Sequence, residues 1–381
     1  MKQPVYFDYA ATTPVDPRVA KVLTHHLSMD GIFGNPASVN HPFGWKALNA
    51  VDVAREQVAR AIHAGAREIV WTSGATESNN LAIKGAAYQY QSKGKHIVTM
   101  QSEHKAVLDT CRFLETQGFE VTYLAPESNG LLSLETLKAA LRPDTVLVSI
   151  MMVNNETGVI QDIQAIGEMV KANGSLFHVD AVQAFGKLPI DLRELPVDLM
   201  SLTAHKIYGP KGIGVLYVRI LPKVRLQPLI HGGGHEHGLR SGTLPVHQIA
   251  ALGEAFDIAE KERKDEAIRI AALRDRLWKG LQALSNVRLN AAKAPRVSGI
   301  LNVAFEGLES EVMVKAMPQL AVASGAACNS AVIEPSHVLK AMQMDRATAN
   351  ASLRFSLGRF TTEEEVDFAI GVVVEKVGKL L

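Results

Sequence analysis

Between residues 68 and 202 the chain alternates two patterns of apolar residues. Short, nearly unbroken apolar runs occupy 68–72, 96–100, 121–124, 145–151, 176–179 and 197–202. Runs of that length, with little polar alternation, predict strands buried on both faces. Between them, apolar residues recur every three or four positions, which predicts helices from Leu81, from Lys105 through Leu114, over 134–141 and over 163–172. Upstream, Asp16-Pro17 opens a helix with Val19, Val22, Leu23 and Leu27 on one face. A second helical period, carried by Ala47, Val51, Ala54, Val58 and Ala61, covers 45–62. Residues 31–44 between these helices are rich in Gly, Pro and Asn and read as a loop. Strand and helix in alternation predict an α/β fold with a mainly parallel sheet covered on both sides.

The pattern changes after residue 245. One long helical period runs over 246–284, and its charged middle, 260–266, reads as a solvated face joining two domains. Beyond 286 come an apolar strand over 299–305, a helix, a small-residue stretch over 322–328, a strand over 352–357 and a last helix after Thr361-Thr362-Glu363-Glu364. The expected division is a large domain over 15–260 and a smaller α+β domain made of 1–14 and 261–381.

Composition narrows the function. The chain has 381 residues, 47% of them hydrophobic and 21% charged, with a formal net charge of +1. That balance gives no global electrostatic case for nucleic acid or an acidic membrane surface. The N-terminal stretch has no signal-peptide pattern and no later stretch matches a membrane span, so a cytoplasmic enzyme is expected. Cys111 and Cys328 are the two cysteines, too few for a disulfide framework.

The candidate chemistry sits where strands end. The run at 176–179 ends on Asp180, and the run at 197–202 ends in Thr203-Ala204-His205-Lys206. In open α/β sheets that edge binds ligands. A carboxylate for a pyridinium nitrogen and a lysine for an aldehyde are what a pyridoxal 5′-phosphate enzyme requires. Gln183 could serve the phenolic oxygen. Lys211, inside a glycine-rich turn, competes with Lys206, which is favoured because it directly follows the strand. Residues 73–80, small and polar after a strand, can present the amides of Ala75 and Thr76 and the Thr76 hydroxyl to a phosphate, or simply cap a helix. His104 can stack on a ring or be structural. His231, His235 and His237 lack the spacing of known zinc motifs. Cys328 lies in a small-residue stretch that suits an exposed, reactive thiol, whereas Cys111 reads as an inert core residue.

Several long stretches, in order, resemble the cysteine desulfurases of the housekeeping iron–sulfur cluster assembly type. These belong to the class V aminotransferase family of fold-type I pyridoxal phosphate enzymes. The stretches include YFDYAATTPVDPRV, TSGATESNNLAIKG, VNNETGVIQDI, HVDAVQAFGKLPID, HKIYGPKGIGVLYVR, HGGGHEHGLRSGT and RFSLGRFTTEEEVD. The resemblance implies that Lys206 carries the cofactor, Asp180 pairs with its nitrogen, Gln183 reaches the phenolic oxygen and His104 covers the ring. Ala75, Thr76, Thr203 and His205 would hold the phosphate, with Thr243 supplied by the partner of a homodimer. Asn155 and Arg354 would position the carboxylate of L-cysteine. Cys328 would be the nucleophile that takes the sulfur and passes it to acceptors such as an iron–sulfur scaffold protein, or toward tRNA thiolation. No resident metal is implied, although Cys328 could touch an iron–sulfur cluster transiently. A class V aminotransferase or selenocysteine lyase is the alternative enzyme on this scaffold, and a non-catalytic sulfur-transfer adaptor the alternative of another class.

The chain departs from the family pattern at Met152, at Thr203-Ala204, at Ala326 and Asn329 beside Cys328, and in ending at Leu381, before the tail used in scaffold docking.

Overall fold

The computed structural model describes residues 3–324 and 335–380. The large sheet has seven strands. Across it they run Ile69–Thr72, Gly214–Val218, Leu199–Thr203, Leu176–Asp180, Thr145–Met151, His96–Met100 and Glu120–Leu124. All neighbouring pairs are parallel except those made by Gly214–Val218, which runs against both its neighbours. The sheet is therefore mixed but mostly parallel, as the alternation of strands and helices predicts. A smaller antiparallel sheet holds Ala323–Ser324, Ser352–Ser356, Ile300–Phe305 and Val287–Leu289 in that order.

Each sheet has its own core. Trp71, Phe177, Phe185 and Phe256 belong to the core of the large sheet, where the Phe185 and Phe256 rings stack with centroids 4.1 Å apart. Phe7, Phe305, Phe355 and Val373 belong to the second core. Phe7 reaches it because Val5–Tyr6 pairs with Leu320–Ala321 and Asp8 bridges to Ser356.

The helix Val246–Leu281 serves both cores. Ile249, Leu252 and Phe256 pack into the first, and Leu273, Leu277 and Leu281 into the second. Its charged middle spans the gap, but it is not merely a solvated face. Glu262 pairs with Arg18 at 2.5 Å, and Glu266 pairs with Arg359, whose other branch reaches Asp16 at 2.7 Å. Arg359 also lies over the Tyr208 ring at 4.2 Å. Acids that look solvent-directed in the sequence thus clamp the chain's N-terminal segment to its C-terminal one.

The second correction concerns the helix expected from Leu81, which begins six residues earlier, at Ala75, and runs to Tyr90. Its first turns, Thr76-Glu77-Ser78-Asn79-Asn80, carry no apolar period because their buried side chains meet polar partners. The Ser78 hydroxyl shares a hydrogen bond with Thr72 Oγ1 at 2.7 Å and donates to the Val215 carbonyl, while Asn79 reaches Asp180. Likewise the helix Pro42–Ala61 starts three residues before the expected 45, with proline in its first turn and His41 accepting from the Gly44 amide.

Candidate active site

The adjacent parallel strands Leu176–Asp180 and Leu199–Thr203 both end at one edge of the sheet. Asp180 is the last residue of the first. A tight turn, Ala204–Lys206, carries the chain from the second into the site. The turn closes with the Gly209 amide donating to the Ala204 carbonyl at 3.0 Å, and a Cβ on Gly209 would lie 2.7 Å from that of Ala204. The alanine that departs from the family pattern is accommodated because its neighbour is glycine.

From the next layer comes the N-terminus of the helix Ala75–Tyr90. Its cap, Gly74, has φ +148°, a conformation that L side chains rarely adopt. Gly214 allows the close approach, since a Cβ there would sit 2.7 Å from Gly74 Cα. The first-turn amides have no partner within the helix and present positive dipole ends to the cavity.

These elements surround a cavity of about 650 Å³. Ala75, Thr76, His104, Asn155, Asp180, Gln183, Thr203, His205, Lys206 and Arg354 all line it, so ten expected site residues converge on one space. Lys211 borders it too but is exposed. Thr243 is exposed and is not among the lining residues of its own chain. Cys328 lies outside the described residues.

Lys206 Nζ donates to the carbonyls of Ala10 at 2.6 Å and Ala11 at 2.5 Å. Burial, reinforced by the Arg354 charge, pushes its ammonium down to about 8. Asp180 is buried and accepts from Asn79 Nδ2 at 2.8 Å and from the Val182 amide at 3.1 Å. Burial and the charges of Lys206 and Lys211 push His205 down to about 4, so it is a neutral imidazole, with Nδ1 3.2 Å from Thr12 Oγ1. Burial also lowers His104, whose Nδ1 accepts from the Ala106 amide and caps the helix Lys105–Thr116. The Thr203 hydroxyl donates to the Ile213 carbonyl at 3.1 Å, so it donates to a phosphate only by giving up that bond.

Arg354 donates to the Asn155 carbonyl at 2.8 Å and pairs with Asp8 at 2.6 Å, and its buried Nε has no partner among the described residues. Sequence reasoning missed Asp8, which stands within a short aromatic run, and Asn79, whose polar neighbours resemble ordinary cap residues. It also missed Glu103, fully buried with one oxygen accepting from the Met151 amide at 2.8 Å and its carboxyl pushed well up by burial.

Three other residues stand away from the cavity. His178 is pinned between the hydroxyls of Ser149 and Ser201, at 2.8 and 3.0 Å, inside the sheet. Met152 belongs to the core of the large sheet, and its neighbour Met151 is the one on the cavity wall. Cys111 is buried and its thiol is pushed up to about 12 by burial, which makes it inert. Among the described residues no three His, Cys, Asp or Glu side chains gather as a metal site would require.

An amide cradle for an anion, a buried carboxylate and a desolvated lysine on one sheet edge fit pyridoxal 5′-phosphate in charge and size. The chain matches the "Aminotransferase class-V" family model over residues 5–368. It is 61% identical over 380 residues to the cysteine desulfurase IscS of Serratia proteamaculans, covering all of this chain and 94% of that one. A solved NifS-like protein superposes with a TM-score of 0.92 at 37% identity over the full length of both. A structure of SspA in complex with cysteine superposes with a TM-score of 0.83 at 41% identity, covering 94% of this chain and 99% of that one. The fold and site are those of an α/β pyridoxal phosphate enzyme. The chain belongs to the class V aminotransferase family and, within it, to the cysteine desulfurases. Its cofactor is pyridoxal 5′-phosphate.

Proposed function

We propose that this enzyme takes the sulfur of L-cysteine, releases L-alanine and carries the sulfur as a persulfide on Cys328 to acceptor proteins. The observation that carries the reading is that Asp180 and a desolvated Lys206 line one cavity together with Ala75 and Thr76, the first two residues of a helix. The structure of SspA in complex with cysteine, a similar fold, supports the substrate. The residues flanking the stretch that carries Cys328 adjoin the cavity. Ala323 pairs with Arg354, and the Ser336 hydroxyl donates to Glu156, next to Asn155.

When bound, the cofactor engages the substrate amine through its aldehyde and accommodates negative charge on the adjoining carbon. Asp180, oriented by Asn79 and the Val182 amide, holds the ring nitrogen protonated. The amides of Ala75 and Thr76, with Thr203 and His205, hold the phosphate, Gln183 meets the phenolic oxygen and His104 covers the ring. Arg354 and Asn155 fix the substrate carboxylate, the guanidinium giving two parallel donors. Lys206 as free amine removes the Cα proton. The Cys328 thiolate forms a bond to the substrate sulfur as the carbon–sulfur bond breaks. The bonding pair stays with the substrate's Cβ, which takes up one proton, matching the one that the substrate thiol gives up. Lys206 returns its proton to Cα, and alanine leaves with the outer sulfur held as the Cys328 persulfide.

The sulfur then passes to an iron–sulfur scaffold protein, with tRNA thiolation as a second outlet. We assign this work to a homodimer in the cytoplasm, in which Thr243 completes the partner's phosphate site. Its exposure in the single chain supports that reading, and none of the described helices is long and apolar enough to cross a membrane. The large domain, 15–260, would carry the cofactor, and the small one, 1–14 with 261–381, the nucleophile.

The test is the purified protein's visible absorption and its turnover of L-cysteine to alanine. The band should vanish in Lys206→Ala. Cys328→Ala should keep the band and lose both the persulfide, read by mass spectrometry, and alanine production. Persistence of persulfide transfer in Cys328→Ala sinks the reading.

A further inference from the structure

Gln183 is held from both ends, and one of its partners has no part in the site as described so far. Lys187, four residues further along, donates from Nζ to Gln183 Oε1 at 2.6 Å. At the other end of the amide, Gln183 Nε2 donates to the Ala10 carbonyl at 2.8 Å, the same oxygen that accepts from Lys206 Nζ at 2.6 Å. The two partners are of opposite kind. A lysine ammonium can only donate, and a carbonyl can only accept. A flipped amide would set NH₂ against the ammonium and carbonyl against carbonyl, losing both bonds in a buried place. The amide therefore has one orientation, and its second N–H is left for the cavity that Gln183 lines.

Lys187 is not on that cavity wall. It stands behind it, on a separate cavity of about 30 Å³ shared with Lys206, Glu266 and Arg359. Burial, with the charges of Lys206 and Arg354, pushes its ammonium down to about 7. A lysine is a poor choice for such a spot on packing grounds alone, and the bond to Gln183 is the one hydrogen bond its ammonium makes among the described residues.

We propose that Lys187 is a positioning residue that locks the Gln183 amide with an N–H turned to the cavity, where it donates to the oxygen on the cofactor ring. The inference rests on the cofactor reading above. Its action runs through Gln183 and requires no contact between Lys187 and the cofactor.

The test is a pH titration of the visible band of the holoenzyme. A donor on the ring oxygen stabilises its anionic form, so loss of an oriented donor should raise the midpoint in Lys187→Met by about half a pH unit or more, roughly threefold in the proton equilibrium. Lys187→Arg, which keeps a donor, should restore it. In a Gln183→Ala background, Lys187→Met should add no further shift. An unmoved midpoint in Lys187→Met overturns the role, and so does a shift that persists in full when Gln183 is already alanine. If Lys187→Met does not accumulate as folded holoenzyme, Lys187→Gln serves instead, because an amide there can also accept and frees Gln183 to flip. The same shift supports the role and its absence overturns it. A wild-type band that survives Lys206→Ala would overturn the cofactor reading as well, whereas an unmoved midpoint overturns the role of Lys187 alone.

Discussion

Asn79 Nδ2 donates to Asp180 Oδ2 across 2.8 Å, tying the second turn of the phosphate-side helix to the end of the strand Leu176–Asp180. Both residues are buried, so one short bond couples the proposed anion cradle to the carboxylate proposed to face the ring nitrogen. Asn79→Ala removes a donor from a buried carboxylate, a loss of about 1.5–3 kcal/mol for a charge-assisted bond. Where that cost falls on the bound state, cofactor affinity drops about tenfold or more. Titrating the apoenzyme with pyridoxal phosphate and following the visible band measures it. An affinity within twofold of wild type would show that Asp180 is held well enough by the Val182 amide.

Gly74 allows the cradle to form. Its φ of +148° with ψ 176° is essentially closed to side-chain-bearing residues. Gly74→Ala should therefore cost about 1–3 kcal/mol of stability and tilt the first-turn amides, weakening cofactor binding more than substrate binding. A lowered melting temperature together with a raised dissociation constant for the cofactor is the expected pair of results.

Lys206 attaches an aldehyde only as a free amine. With its ammonium pushed down to about 8, the reactive form is the minority below that pH and the majority above it. The rate at which apoenzyme captures pyridoxal phosphate should rise about tenfold per pH unit below 8 and level off above it. An unperturbed lysine would keep rising to beyond pH 10. Stopped-flow absorbance across pH 6 to 10.5 separates the two curves.

Arg354, proposed to meet the substrate carboxylate, has its guanidinium braced by Asp8 and the Asn155 carbonyl, and its buried Nε has no partner among the described residues. Lysine cannot reproduce that fork. Arg354→Lys should raise KM for cysteine by about tenfold or more, while the absorption band of the bound cofactor stays where it is. A moved band would mean that Arg354 supports the cofactor itself.

The strands of the large sheet and the acid and lysine at their ends are legible in the chain because burial on both faces leaves unbroken apolar runs. The start of the helix Ala75–Tyr90 is not, since Ser78 and Asn79 are buried against polar partners and erase the apolar period that marks a helix. The reversed strand Gly214–Val218 carries the same apolar signature as its parallel neighbours, so composition cannot show its direction. Asp8 and Glu103 were invisible for a different reason. Their importance lies in residues more than forty positions away, Arg354 and Met151, and no local pattern encodes such a pairing.

The charged middle of the helix Val246–Leu281 yields the last prediction. Arg359 is 9% exposed and sits between Asp16, 3% exposed, and Glu266, with its plane over Tyr208. Asp16 also caps the helix Pro17–His25 and binds Arg18 two residues on, whereas Glu266 meets its cation, Arg359, from 93 positions along the chain. Arg359→Met keeps the stem's packing but leaves two acids without their shared partner. Breaking a buried pair from one side typically costs about 3–5 kcal/mol, and the loss should appear as a lower urea midpoint of the holoenzyme. Arg359→Lys should recover little, because a single ammonium cannot reach both acids and stack on the ring as well. Arg276→Met is the control. Its partners Glu363 and Asp367 are 68% and 51% exposed, so water takes over solvation of those acids and the expected loss is about 1 kcal/mol or less. Equal losses in the two variants would mean that the clamp at Arg359 stabilises no more than a surface pair.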